Sequence, residues 1–461
     1  VQVLFTGDVM LGRGVAVAAD GDFDSVLAGV LPATVPADLV LGNLESPLTV
    51  RPHDPTVNAY ALEADPAAAG SLARAGFSAM SIANNHAGDA GPLTVPDTTA
   101  ALSAAGVDVV GAGDDVGEAF SPRVVEVGSV TASLLAFDLT GVGPRAGAAS
   151  PGVAWWSRRL VRESVVGATE RTDLVFVGLH GGTEYRRRTD RSVTRAARCL
   201  VRWGADVVWG HGPHVVQPVR LVSAAGNRAV VAPSLGNLVF DQHLPGTRRG
   251  ALLSVLADAD GIVAYRVGRT DEPSGPVAFR GWKLPEGNAV AVDGSWWTPA
   301  RPVRAPDRPA VSLNELQKRF DGTVVDATIG DPDADGRSDL VVAFRRPYQP
   351  TLANRLYRQD RLVDAAGRTA HLGVYRARDL RPRWVAGTVL RPIRLVAACD
   401  GGIAVAHSTL RSPQIVATSA WVWSGFGFYS LASLPGGGRP TCADLDRDGR
   451  LDPLVLGRGV S

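Results

Sequence analysis

The sequence predicts an α/β domain of layered sheets followed by an all-β region, and three observations carry that expectation. Across roughly the first 260 residues, short apolar runs of strand character alternate with helical patterns. Several of these runs release polar residues at their carboxyl ends, where open α/β sheets place their sites. From about residue 320 the helical patterns stop, and an acidic motif recurs between short apolar strands.

The elements follow in order. "VQVLFTGD" ends at Asp8, "ADLVLGNLE" at Asn43 and Glu45, and "FSAMSIANNH" at Asn84, Asn85 and His86. Pro92 to Ala105 reads as a helix stopped by Gly106, and "PRVVEVGSVTASLLAF" as a hairpin turning at Gly128-Ser129. "TDLVFVGLHGG" releases His180, and "ADVVWGHGPH" releases His211 and His214. Between them Thr189 to Trp203 reads as a helix closed by Gly204. "SLGNLVFDQ" then brings Asn237 and Asp241 to a sixth strand end. The first domain is set at 1–265. The Pro- and Gly-rich stretch 266–319 reads as a linker or irregular cover, and 320–461 as a β-repeat domain.

Composition bounds what such a chain does. Its 461 residues are too many for one ordinary core, and 45% hydrophobic with 20% charged residues is the balance of a soluble globular protein. With 47 Lys and Arg against 46 Asp and Glu, the basic excess of a nucleic-acid binder is missing, and no nucleic acid is expected as a partner. No apolar run reaches the ~18 residues of a membrane-spanning helix. Val1 already lies in a strand-like run, the pattern expected of a trimmed or mature form. Of three cysteines, Cys199 sits in a helical pattern, while Cys399 and Cys442 share the last region and could pair in an exported protein.

Asp8, Glu45, Asn85, His180, His211 and His214 form a set of carboxylate, amide and imidazole donors. Such a set suits Mn²⁺, Fe or Zn²⁺ and is poor for soft metals. The motifs "GDVMLGR", "NLESPLT", "ANNHAGDAG", "HGGTEY", "GADVVWGHGPHVVQ" and "SLGNLVFD" follow one another in an order that resembles the bacterial capsule-synthesis CapA family, associated with poly-γ-glutamate synthesis. The resemblance covers about residues 1–260. It implies a branch of the calcineurin-like metallophosphoesterases: a four-layer α/β sandwich with one or two divalent transition metals. It also implies that Asp8, Glu45, Asn85, His180, His211 and His214 are ligands, and that His86 is a general acid or orients a phosphate. Three departures from the pattern stand out: Met10 where a histidine ligand is expected, Glu45 in place of a bridging Asp, and His211 and His214 spaced three apart in place of two. Gly181 replaces an expected Trp and should leave that wall open. Glu184, Tyr185, Arg186 and Asn237 are the candidates for holding substrate, with Arg187 and Arg188 extending a basic triplet that suits an anion.

"DPDADGRSD" and "DLDRDGRLD" place Asp331, Asp333, Asp335, Asp339 and Asp444, Asp446, Asp448, Asp452 at calcium-loop spacing, with a weaker relative near Asp400. These loops resemble FG-GAP/integrin-type propeller repeats, which implies bound Ca²⁺ and a propeller-like domain that is either partial or completed by another chain. The expected function is a metal-dependent hydrolase or transferase acting on an anionic small molecule or polymer, in the cell envelope or outside the cell, alongside membrane-associated capsule machinery. The competing expectation is an accessory protein that binds or guides an anionic polymer without turnover.

Overall fold

The computed structural model describes residues 1–53, 60–91, 93–271, 276–292, 295–303, 311–350, 359–386, 388–425, 427–445 and 448–457. The chain divides into two compact units, Val1–Lys283 and Leu284–Ser461.

The first unit is a mixed α/β fold with two main sheets. In one, Gln2–Val9, Leu39–Leu44, Ala79–Ser81 and Asp108–Val110 run parallel. Arg249–Asp258 lies antiparallel to Gln2–Val9 and is followed outward by Gly261–Asp271 and Ala278–Trp282. In the other, Asn227–Ala232, Val207–His211, Leu174–His180 and Val130–Asp138 run parallel between antiparallel edges. Parallel strands are covered on both faces and therefore read as unbroken apolar runs. Leu174–His180, buried at every position, is the clearest case.

Strand alternation decides what each face touches. Phe176 meets Phe5 of the other sheet at 5.4 Å between ring centres, and Trp209 meets Phe5 at 5.2 Å, so the sheets face each other through these rings. Val175, Val177 and Leu179 point the other way, into a core shared with helices Arg158–Thr169 and Arg191–Trp203. Helix Arg191–Trp203 buries Val193, Ala196, Ala197, Leu200 and Val201, an i, i+3, i+4, i+7, i+8 stripe, and Gly204 ends it at φ 109°. Each fully buried leucine such as Leu200 contributes on the order of 2 kcal/mol. The expected hairpin is present as Arg123–Val127 and Val130–Asp138. The helix expected from Pro92 spans Thr94–Ala104, and Pro92 itself lies outside the described residues.

Among the described residues the second unit holds two four-stranded antiparallel sheets and a third antiparallel set of four strands. Two are built consecutively, Thr323–Gly330 to Pro382–Val385 and Ile393–Cys399 to Phe428–Pro435. The third joins the final strands Arg439–Ala443 and Asp452–Leu456 to the hairpin Ala289–Val292 and Ser295–Pro299, with Ala289 opposite Val455. This corrects the reading of 266–319 as a linker or irregular cover, since strands lie at Ala278–Trp282, Ala289–Val292 and Ser295–Pro299, and among the described residues the sheets do not form a propeller. The short apolar runs "AVAV" and "WW" bury Ala289, Val290, Trp296 and Trp297, and the surrounding Pro and Gly hid these two strands. A disulfide joins Cys399 and Cys442 on strands of adjacent sheets.

Asp206, between helix Arg191–Trp203 and strand Val207–His211, accepts the Val175 N–H at 2.9 Å. Burial nevertheless pushes its carboxyl up to about 7. A folded-state value above the unfolded ~3.9 means the native state holds this proton longer, so stability falls as pH rises from about 4 through about 7. Asp206→Asn is expected to melt above the unsubstituted protein near pH ~8, with the gap narrowing toward pH ~5. Thermal melts of both proteins across that range check it.

Candidate metal centre

The carboxyl ends of the parallel strands in both sheets meet at one buried point. Asp8 closes Gln2–Val9, Glu45 follows Leu39–Leu44, His180 ends Leu174–His180, and His211 ends Val207–His211. Asp8, Glu45, His180, His211 and His214 are each 3% exposed or less. Asp8, Glu45 and His214 each offer one ligand atom within 4.8 Å of the others. His211 Nδ1 lies 3.4 Å from Asp8 Oδ1, and His214 Nδ1 lies 3.3 Å from Asp8 Oδ2. Glu45 Oε1 is 3.7 to 3.9 Å from the Nε2 atoms of His214, His86 and His180.

The three-residue spacing of the last histidines is handled by the turn between them. Gly212 at φ 104° and His214 at φ 57° reverse the chain so that both imidazoles address Asp8. Left-handed backbone is uncommon for a histidine, so the surrounding contacts must hold it. Asn237 Oδ1 meets His214 Nδ1 at 3.0 Å, and Asn237 Nδ2 donates to Gln242 and to the Thr247 carbonyl. Asn237 therefore orients a ligand-type histidine and leaves its Nε2 toward Glu45. Asp241, four residues on, binds Arg13 and accepts the Gly14 N–H, locking the end of the first motif to the last.

The electrostatics follow from burying acid beside acid. Burial pushes Glu45 up to about 8, and the Asp8 charge pushes the same way. Burial also works against the Asp8 carboxylate, but the His211 and His214 imidazoles close beside it hold it well below the usual range. Burial drives His180 down to about 3. His214 resists burial because Glu45 and Asp8 face it, and it rises to about 9. Glu45 Oε2 and both ring nitrogens of His211 are buried without a hydrogen-bond partner among the described residues. The His211 approach to Asp8 is close in distance but not aligned as a hydrogen bond. Unsatisfied donors and acceptors of this kind are costly unless something else fills them. A divalent cation held by Asp8, Glu45, His214 and His211 would satisfy them, so the residues fit such a metal.

Asn85 stands apart: it is half-buried and makes no hydrogen bond to the cluster among the described residues. Its neighbour Asn84 is fully buried instead, donating to Asn43 Oδ1 and the Leu44 carbonyl and capping the His86 N–H. Asn43, which donates to Asp8 Oδ1 at 2.9 Å, was legible beside Glu45. Asp138 was missed. It ends its strand in register with His180, and its buried Oδ2 lacks a hydrogen-bond partner among the described residues. The signal was a carboxylate at one more parallel-strand end.

On the loop after His180, Tyr185 turns its ring to 6.1 Å from His214 and its hydroxyl accepts from Gln242. Glu184 is exposed there, and its charge is felt at Glu45 and His214. Arg186 is paired with Asp190 at 2.7 Å, and its carbonyl is held by Gln217, so it points along the loop and not into the centre. The wall at Gly181 is not open: a Cβ there would lie 2.8 Å from the Leu139 side chain. Met10 is fully buried.

Residues 2–242 match the model of the bacterial capsule synthesis protein PGA_cap family. The chain belongs to that family. Over 270 residues it is 32% identical to the PGA biosynthesis protein CapA of Bacillus subtilis (strain 168), covering 57% of this chain and 69% of that one. Over 256 residues it is 30% identical to the capsule biosynthesis protein CapA of Bacillus anthracis, covering 54% of this chain and 61% of that one. Among solved structures, a 5'-nucleotidase precursor from Thermus thermophilus matches at a TM-score of 0.39 with 14% identity, covering 60% of this chain and 55% of that one. That likeness is too loose to transfer chemistry. The PGA_cap match spans the strand ends of the centre, and its last residue, Gln242, is the one that holds Asn237 and Tyr185.

Protein freed of metal and titrated with Mn²⁺ or Zn²⁺ is expected to bind at least one equivalent and to melt at higher temperature by mass action. Asp8→Asn should abolish both effects. Asn237→Ala should weaken binding by roughly 10- to 100-fold, the cost of losing a residue that orients a ligand. Calorimetric titration of the three proteins decides it.

Proposed function

We propose that the first unit is a metal-dependent hydrolase or transferase acting on an anionic substrate, a phosphoester or a glutamyl amide, in capsule or envelope polymer metabolism. The observation that carries this reading is the buried Asp8–Glu45–His214 convergence, where Glu45 Oε2 and the ring nitrogens of neighbouring His211 lack hydrogen-bond partners among the described residues. The chemistry a divalent cation supplies at such a site is Lewis-acid polarisation of substrate oxygen and acidification of water.

The chain's own contribution centres on His86. Its Nδ1 is held by Asp89 Oδ2 at 2.8 Å, and its Nε2 faces Glu45 at 3.8 Å. Burial opposes protonation of His86, but the hydrogen bond to Asp89 and the Glu45 charge outweigh it and raise its pKa. With Nδ1 fixed by Asp89, Nε2 is the ring nitrogen that faces the centre and the one that would pass a proton to a leaving oxygen. Tyr185 and Glu184 border the entrance, where the phenol can hold a substrate oxygen. The competing reading, a protein that holds an anionic polymer without turnover, is favoured by Met10, a buried thioether at a position where the resemblance calls for a ligand.

An envelope or extracellular setting, with membrane-associated capsule machinery as partner, belongs to the same proposal; the Cys399–Cys442 disulfide supports it, because such bonds persist in oxidising compartments. In the second unit we propose calcium as the ligand of the acidic loops, with a competitor in the first of them. Arg383 reaches Asp333 at 3.1 Å, Asp335 at 2.7 Å and Asp339 at 3.0 Å. Asp331 accepts the N–H groups of Asp335 and Gly336. In the last loop Asp444 and Asp448 accept backbone N–H groups, Asp452 begins the closing strand, and Asp446 lies outside the described residues.

Two outcomes are expected. His86→Ala should lower turnover of phosphoester or glutamyl substrates by about 10²- to 10⁴-fold while metal content and melting temperature stay near those of the unsubstituted protein. Loss of metal along with activity would make His86 a ligand. Arg383→Gln should lower the melting temperature in calcium-free buffer, and millimolar calcium should restore it more than it raises the unsubstituted protein. A melt indifferent to calcium would make these loops plain acidic turns.

A further inference from the structure

Helix Arg191–Trp203 carries a second pattern on the face opposite its buried stripe. Arg191, Arg195, Arg198 and Arg202 recur at i, i+4, i+7 and i+11 and are all exposed. At 1.5 Å per residue they form a ridge of guanidinium groups about 16 Å long, one for each turn of ~5.4 Å. Two grooves flank the ridge. One, of about 660 Å³, has Arg188, Arg198 and Arg220 around a floor that includes Val193 and Leu221. The other, of about 910 Å³, is bordered by Arg191 and Arg195. Among the described residues, Arg188, Arg191, Arg195, Arg198 and Arg220 form no ion pair with a carboxylate, so their charge is available to a ligand. The chain's net charge is only +1, which makes this concentration local and not a property of the whole surface.

A hydrogen-bonded loop joins the metal centre to the start of the ridge. Gln217 holds the Arg186 carbonyl at 2.8 Å and accepts from Thr189 at 2.8 Å, and the Tyr185 N–H donates to the Pro213 carbonyl at 2.8 Å. These bonds fix the loop that runs from His180 and Tyr185 to the first turn of the helix.

We propose that this arginine ridge and its grooves are the docking track for an extended polymer bearing a carboxylate on every repeat, leading it along the helix to the centre at His214 and Glu45. The proposal rests on the reading of that centre as acting on an anionic substrate. Arginine grips carboxylates bidentately, and a regular row of guanidinium groups suits a regular row of acids. An anionic membrane surface fits less well. Interfacial helices sink an apolar face into lipid, whereas Val193, Ala197 and Leu200 are buried in the protein core. A nucleic-acid strand fits less well too, since neither groove is lined by an aromatic ring for base stacking.

The test measures binding and not turnover. Full-length protein, with and without added Mn²⁺, is titrated with fluorescent poly-γ-glutamate, with phosphatidylglycerol-containing vesicles and with single-stranded oligothymidylate at several salt concentrations. The expected result is salt-dependent binding of polyglutamate, retained without metal. The triple variant R191Q/R195Q/R198Q should weaken it at least tenfold, while R158Q/R159Q/R162Q, equal in charge change on a different helix, should leave it unchanged. Equal loss in both triple variants, tighter binding of vesicles or oligothymidylate, or no polyglutamate binding would overturn the proposal. Polyglutamate binding at the ridge by a protein that takes up no metal would leave the track standing and remove the proposed chemistry of the centre, so the two failures are distinct.

Discussion

The first unit depends on keeping two carboxyl groups, Asp8 and Glu45, buried within reach of one histidine. Isolated charge in a protein interior is unfavourable by several kcal/mol, and two acids together cannot both ionise without compensation. The fold answers by bringing the carboxyl ends of two parallel sheets to one point, so that His180, His211 and His214 enter from one sheet and both acids from the other. The rest of the site serves that balance. Asn43 ties the second strand to Asp8, Asn84 braces Asn43 and the end of that strand, and Asn237 holds the histidine that faces both acids.

Much of this was legible from residues alone, because parallel strands announce themselves as apolar runs and place their chemistry at a fixed end. Asp8, Glu45, His180, His211 and His214 all lie at such ends, and their convergence needed only the topology. What escaped depended on side-chain direction. Asn84 and Asn85 are adjacent and chemically identical, and only the backbone turn decides that Asn84 faces inward. Arg186 looked like a substrate ligand until its pairing with Asp190 was visible. Asp138 was hidden because the hairpin was read as ending at Phe137, one residue short of the carboxylate.

The second unit was read less well, for a different reason. Its acidic loops are local and their spacing survives in the sequence, so the hairpins around Asp331 and Asp444 were found. Strand pairing between residues far apart leaves no such local mark. Nothing near Ala289 says that the outer partner of its strand lies at the other end of the unit. Arg383 is equally silent, since the carboxylates it neutralises lie some fifty positions earlier.

The third sheet of that unit has a temporal consequence. Ala289 and Val455 must meet before the sheet exists, so this part of the unit has a long-range nucleus and is expected to form slowly. During synthesis the hairpin bearing Trp296 and Trp297 emerges long before its partner, leaving two large rings and an unpaired edge exposed to other chains. A ribosome that stalls before residue 452 would release a product unable to close this sheet. That interval is the window in which a chaperone matters most.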